Sequence, residues 1–179
     1  MKIAHLSDLH FGRIAHPGIV DALVREVNED GVDLAVLSGD LTQRARPREF
    51  ERALSMLDAI RPQTLVVPGN HDVYPWWRPY RRLATPLRRY CEYVTDDLAP
   101  TFEADGVAVL GLSTPHGATI KGGRVGPRDR EVLRQYFSSV EEAAFKVLVL
   151  HHHLTEIRSI GPHDVARQAR KTLDTAVEK

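Results

Sequence analysis

Three short apolar runs, each ending in a polar cluster and each separated from the next by an amphipathic stretch, constrain this chain more than any other feature. Ile3-Ala4-His5-Leu6 ends at Ser7-Asp8, Asp33 to Leu37 ends at Ser38-Gly39-Asp40, and Thr64-Leu65-Val66-Val67 ends at Pro68-Gly69-Asn70-His71-Asp72. Between the first two, Pro17 to Val27 places Ile19, Val20, Leu23, Val24 and Val27 on one helical stripe. Between the second and third, Pro47 opens a helix, as proline does at a first turn, with Phe50, Ala53, Leu54, Leu57 and Ile60 on its apolar face and Pro62 to stop it. Strand, helix, strand, helix, strand with short joins predicts a βαβαβ unit: a parallel sheet with right-handed crossovers.

The second half is less regular. Pro79 to Cys91 reads as one basic helix. Phe102-Glu103-Ala104 and Val107 to Leu112 flank Asp105-Gly106, a hairpin signal. Thr114 to Gly126 reads as a loop and Pro127 to Phe137 as a helix. Lys146 to Leu150 reads as a further strand, running into His151-His152-His153, and His163 to Val177 as a last helix. No repeat, low-complexity tract or linker divides the chain, so residues 1–179 are expected to form a single domain.

Composition excludes several classes. Among 179 residues, 24 Lys and Arg balance 24 Asp and Glu, which argues against a globally basic nucleic-acid binder. The single Cys91 cannot form an internal disulfide and reads as a packing residue rather than a nucleophile. No apolar run approaches the ~18–20 residues of a membrane span. The N-terminus lacks the apolar core of a signal peptide, so no membrane partner and a cytoplasmic location are expected.

The strand tips carry the chemistry. Asp8 with His10, Asp40, Asn70 with His71, and His151 all follow strand candidates. Parallel strands bring such tips to one edge, where α/β proteins bind ligands. Asp, Asn and His together suit a borderline ion such as Mn, Fe, Zn or Ni better than Ca or Mg. Gly39 and Gly69 each precede a tip residue and permit a sharp turn with close backbone approach. An isolated Asp-x-His or Gly-Asp is explained equally well by an ordinary turn. Gly69-Asn70-His71-Asp72 is more specific, because a turn needs no histidine there.

Asp8-Leu9-His10, Gly39-Asp40, Gly69-Asn70-His71-Asp72 and the late His151, in that order, resemble the calcineurin-like metallophosphoesterases. The segments Leu6 to Gly12 and Gly39 to Gln43 resemble its bacterial phosphodiesterase branch, which includes class III cyclic-nucleotide phosphodiesterases. The resemblance implies an α/β fold, a two-sheet β-sandwich flanked by helices. It implies two divalent metal ions (Mn, Fe, Zn or Ni), with Asp8 and His10 on the first, Asp40 bridging, and Asn70 and His151 on the second. His71 is implied as the catalytic residue just outside the metals, near the leaving-group oxygen. Phosphodiester hydrolysis by a metal-bridging hydroxide is the implied activity. The implied partner is a small phosphate ester, with a nucleotide among the candidates and nucleic acid not expected. His151 is preferred over His152 and His153 because it is the first polar position after the strand; His152 then faces the opposite side.

One motif of that family is missing. It closes on Gly-His-x-His, whose two histidines complete the two metal sites, and no such sequence occurs here. After the triple histidine only His163 remains. The second sheet is therefore expected to be incomplete, the chain to be truncated at its C-terminus, and the open sheet edge to favour a homodimer. Alternatives are that His163, His152 or a partner chain supplies the ligands, or that the chain is an impaired or inactive metal- or phosphate-binding module of the same fold.

Two further stretches bear on substrate. Arg78, Arg81, Arg82, Arg88 and Arg89 precede an acidic run of Glu92, Asp96, Asp97, Glu103 and Asp105. This reads as two solvated surfaces of opposite sign, or as a cap that steers an anionic substrate. Tyr74, Trp76 and Trp77 directly follow the Asn-His pair and either anchor the loop in the core or form a wall for a nucleobase.

Overall fold

The computed structural model describes residues 1–14, 16, 18–118, 122–157 and 165–178. Its elements in chain order are β1 (Ile3–Leu6), α1 (Gly18–Glu29), β2 (Leu34–Ser38), α2 (Pro47–Ala59), β3 (Gln63–Val67), α3 (Pro79–Ala84), α4 (Arg88–Tyr93), β4 (Thr101–Ala104), β5 (Val107–Gly111), α5 (Pro127–Ser139), β6 (Phe145–Val149) and α6 (Ala169–Val177). The first sheet is parallel, as the βαβαβ reading predicts, and its strand order is β1-β2-β3. The second is mixed: β4 pairs antiparallel with β5, and β5 parallel with β6.

Side-chain alternation builds four layers from these two sheets. On β2, Ala35 and Leu37 face α1 and α2, in a cluster with Val27, Phe50, Ala53 and Met56. Leu34 and Val36 face the other way, meeting Leu65 and Val67 of β3 and Val109 and Val149 of the second sheet. Leu110 and Leu112 then cover Leu133 and Phe137 of α5. Period-two alternation thus sends each strand's residues into one of two cores, giving helix, sheet, sheet, helix. Close apposition of the sheets depends on Gly111, where a Cβ would stand 2.6 Å from Val67 Cγ1.

Several local expectations need correction. The basic helix expected over 79–91 is two short helices, because Pro86 interrupts it and the residue before a proline is disfavoured in the α conformation. Thr85 is accordingly non-helical, with φ −143° and ψ 63°. The last helix begins at Ala169 rather than 163, after Gln168 in the left-handed region; His163 lies outside the described residues. Ile19 is exposed rather than part of the buried stripe of α1. The hairpin turn at Asp105-Gly106 has both central residues at positive φ, 50° and 73°, the pattern of a type I′ turn. No helix among the described residues is long and apolar enough to cross a membrane.

Candidate metal centre

The loops after β1, β2 and β3 leave the same edge of the first sheet, and the loop after β6 joins them from the second. Backbone hydrogen bonds tie them together: Asp8 N–H to the Gly39 carbonyl (3.2 Å), His10 N–H to Asp40 (2.9 Å) and Phe11 N–H to Leu41 (2.8 Å). Asp8, His10 and Asp40 all lie in the left-handed region, with φ of 57°, 47° and 55°. For non-glycine residues this costs of order 1–3 kcal/mol each and persists where the surroundings over-determine it, typically at functional sites.

Asp40 is the buried hub. His10 Nε2 lies 3.7 Å and His71 Nε2 4.0 Å from its Oδ2, while His151 Nε2 lies 3.5 Å from its Oδ1. Asp8 Oδ1 is 3.6 Å from His10 Nε2. Two overlapping groups result, His10–Asp40–His71 and Asp8–Asp40–His151, each with ligand atoms within 4.8 Å of one another. Asn70 Oδ1 completes the second, 3.2 Å from His151 Nε2. The structure therefore brings Asp8, His10, Asp40, Asn70, His71 and His151 to one place. His71 stands as close to Asp40 as a ligand would, so proximity alone does not separate its role from theirs.

The tautomers are decided by backbone carbonyls, which can only accept. His151 Nδ1–H donates to the Ser38 carbonyl (2.8 Å) and His71 Nδ1–H to the Gln43 carbonyl (2.7 Å). In each neutral ring Nε2 then carries a lone pair aimed at the centre. Around His151, the imidazole nitrogen, the Asn70 carbonyl oxygen and the Asp40 carboxylate are three acceptors facing one another without a donor between them. A divalent cation placed among these lone pairs would satisfy all three at once, so the donor set fits a divalent metal.

Glycines make the crowding possible. A Cβ at Gly39 would meet His151 Nδ1 at 2.6 Å, and one at Gly69 would meet Asp40 Oδ1 at 2.1 Å. Gly39 also has φ 93°, which a side chain rarely tolerates.

Sequence reasoning missed the supporting residues. Asp72, the last residue of Gly-Asn-His-Asp, is fully buried and accepts from Gly69 N–H (2.9 Å), Leu41 N–H (3.2 Å), Thr42 N–H (2.8 Å) and the Thr42 hydroxyl (2.9 Å). It clamps the loops that carry Asp40 and Asn70. Burial pushes its carboxyl up to about 6, with the neighbouring Asp40 charge adding to the rise and the Gly69 and Thr42 donors opposing it. An aspartate inside a motif, flanked by turn residues, was the available signal. Buried His152 turns away from the centre, with Nδ1 2.7 Å from the Thr114 hydroxyl.

The basic stretch is less solvated than its composition suggests. Arg82 is buried, with Nη1 donating to the Tyr74 carbonyl (2.5 Å) and Nε to Gly117 (3.0 Å). Arg81 and Arg89 lie over the Tyr74 ring, 5.7 and 4.9 Å from its centroid. Arg88 pairs with Glu92 at 2.6 Å. The three aromatic residues after Asn-His divide: Tyr74 anchors the loop in the core, while Trp76 and Trp77 are 69% and 44% exposed.

A helix–sheet–sheet–helix sandwich with Asp, Asn and His at its strand tips places the molecule in a definite class, and comparison with known proteins agrees. The calcineurin-like phosphoesterase family model matches residues 1–176, and the chain belongs to that family. It is 33% identical over 113 residues to the glycerophosphodiester phosphodiesterase GpdQ of Enterobacter lignolyticus, covering 55% of this chain and 41% of that protein. It is 36% identical over 76 residues to an uncharacterized metallophosphoesterase of Helicobacter pylori, covering 41% of this chain and 20% of that protein. The matches thus span well under half the length of these curated relatives. Among solved structures, a dimetal phosphatase from Danio rerio superposes with a TM-score of 0.66 at 15% identity, covering 97% of this chain and 76% of that one. The purple acid phosphatase PPD1 from yellow lupin gives 0.62 at 10% identity, covering 90% and 33%. At these identities the two structures speak for the fold.

Proposed function

We propose that the chain is a metal-dependent phosphoesterase that hydrolyses phosphodiesters, with Asp8, His10, Asp40, Asn70 and His151 holding two divalent ions and Asp40 shared between them. The observation that carries this reading is the convergence of histidine, amide and carboxylate acceptors on buried Asp40, in a chain of the calcineurin-like phosphoesterase family. Divalent ions bound there supply Lewis acidity and lower the pKa of a coordinated water. The protein supplies position. Ser38 and Gln43 fix the rings of His151 and His71, and the Asp72 clamp holds the loops that carry Asp40 and Asn70.

His71 has the geometry of a general acid. Its Nδ1–H is engaged by the Gln43 carbonyl, so its Nε2, protonated, is the nitrogen free to hydrogen-bond an ester oxygen and give its proton to the leaving alkoxide. Its backbone N–H donates to Asp40 Oδ1 at 2.8 Å, which couples the acid to the hub of the metal set.

The test is hydrolysis of bis(p-nitrophenyl) phosphate by the purified chain with Mn²⁺. Asp40→Ala should abolish turnover, and His71→Ala should lower kcat by about 100-fold or more, the usual contribution of general acid catalysis. Bound metal by elemental analysis without hydrolysis would instead identify a binding module of the same fold. Hydrolysis that survives Asp40→Ala would overturn the assignment.

A further inference from the structure

We infer that Trp76 and Trp77, together with Arg44, form a subsite beside the metal centre for a planar aromatic ester arm of the size of one nucleobase or phenyl ring. The inference rests on the phosphoester reading above and extends it to the group that the phosphate carries.

A cavity of about 240 Å³ opens beside the centre. Asn70 and His71 line it on the side of the centre, and Pro75, Trp76, Trp77 and Arg44 line it further out. An ester oxygen at His71 therefore has its substituent directed into a space walled by indoles. The two rings meet edge to face, with centroids 5.8 Å apart and an interplanar angle of 84°. The Arg44 guanidinium lies 5.3 Å from the Trp77 centroid, within cation–π range, which steadies that ring and leaves a positive charge at the cavity. Both indoles remain substantially exposed although tryptophan gains more than most side chains from being covered. Stacking a flat ring on them covers that surface, and every nucleobase or aryl group has a π-face to offer. Tyr80 and Leu83 of α3 are also exposed, yet neither lines the cavity, so the feature is a walled site beside the phosphate position rather than a stretch of apolar surface.

The chain contains two tryptophans in all, so its indole fluorescence reports on this cavity alone. The purified chain with Mn²⁺ is titrated with phenylphosphonate and methylphosphonate, which cannot be hydrolysed and differ in the ring. A second pair, adenosine 5′-monophosphate and ribose 5-phosphate, differs in the base. The aromatic member of at least one pair should change the emission and bind at least about fivefold more tightly than its ring-less partner. The pair with the larger ratio identifies a nucleobase or a simple aryl group as the preferred arm. Trp77→Ala should remove the preference and Trp77→Phe should keep it; Trp76 still reports in both, and circular dichroism verifies that both fold. Equal affinity within both pairs, no binding by any of the four, or a preference that survives Trp77→Ala would overturn the subsite. Because the readout is binding, absence of hydrolysis would count against the phosphodiesterase reading without touching this one.

Discussion

Asp72 shows how a residue outside the candidate ligand set can hold that set together. Its carboxylate receives three backbone N–H groups and one hydroxyl from the two loops around the centre. Asp72→Ala leaves the three buried N–H groups of Gly69, Leu41 and Thr42 unpaired, while the Thr42 hydroxyl keeps the His71 carbonyl at 3.1 Å; unpaired buried groups cost about 1–3 kcal/mol each. Urea denaturation should show a loss of about 3 kcal/mol or more. At Gly69 the constraint is steric: a Cβ falls 2.1 Å from Asp40 Oδ1 and 2.3 Å from its amide nitrogen. Gly69→Ala must move the Asp40 carboxylate, so Mn²⁺ affinity by calorimetry should fall at least tenfold, a loss of about 1.4 kcal/mol. At Cys91, burial and then the Asp96 charge push the thiol up. Its reaction with a disulfide reagent at pH 8 should be slower in the native protein than in urea, where the pKa returns to its ordinary value. The linkage has a definite sign. A raised folded-state pKa favours the protonated thiol, so its stabilising effect is full below the unfolded pKa and is lost as pH rises through the folded one.

Among the elements, the loop from β3 to α4 departs furthest from a reading by pattern. Five arginines close in sequence suggest a solvated face, yet the fold uses Arg82 as an internal brace between the Tyr74 and Gly117 carbonyls. Gly117 allows this approach, since a Cβ there would meet the Arg82 carbonyl oxygen at 2.0 Å. Composition does not separate Arg82 from Arg81, because both lie on α3 and the carbonyls that Arg82 braces, those of Tyr74 and Gly117, lie outside that helix. Arg82→Met keeps the stem but leaves both carbonyls unpaired; it should destabilise by about 2 kcal/mol in denaturant melts. The strands were far more legible. β2 is buried on both faces and so reads as an unbroken apolar run, and β4 and β5 announce their turn through Asp105-Gly106.

At the scale of the molecule, the centre is a joint between two sheets. Asp8, His10, Asp40, Asn70 and His71 come from the first sheet's loops, whereas His151 follows β6 of the second and reaches back to the Ser38 carbonyl. A ligand that binds this joint should stabilise the whole sandwich. With Mn²⁺ at about one hundred times its Kd, the gain is about 2.7 kcal/mol. Calorimetric melts should show a Tm that rises with Mn²⁺, falls back with EDTA, and responds much less in His151→Ala.

By itself the sequence determined the repeating strand–helix rhythm, the polar residue at each strand tip and the family to which these motifs belong. Those properties are local: apolar periodicity and turn chemistry act within a few residues of each position. Only the tertiary structure decided which ring nitrogen of His151 and His71 faces the centre, because the Ser38 and Gln43 carbonyls that choose it lie 113 and 28 positions away. It also decided that Asp72 is a clamp, that Arg82 is a brace, and that Tyr74 is buried while Trp76 and Trp77 stand open beside the centre. Each depends on which backbone groups the packed sheets leave in need of a partner and which surfaces they leave uncovered, and neither is set until the two sheets meet.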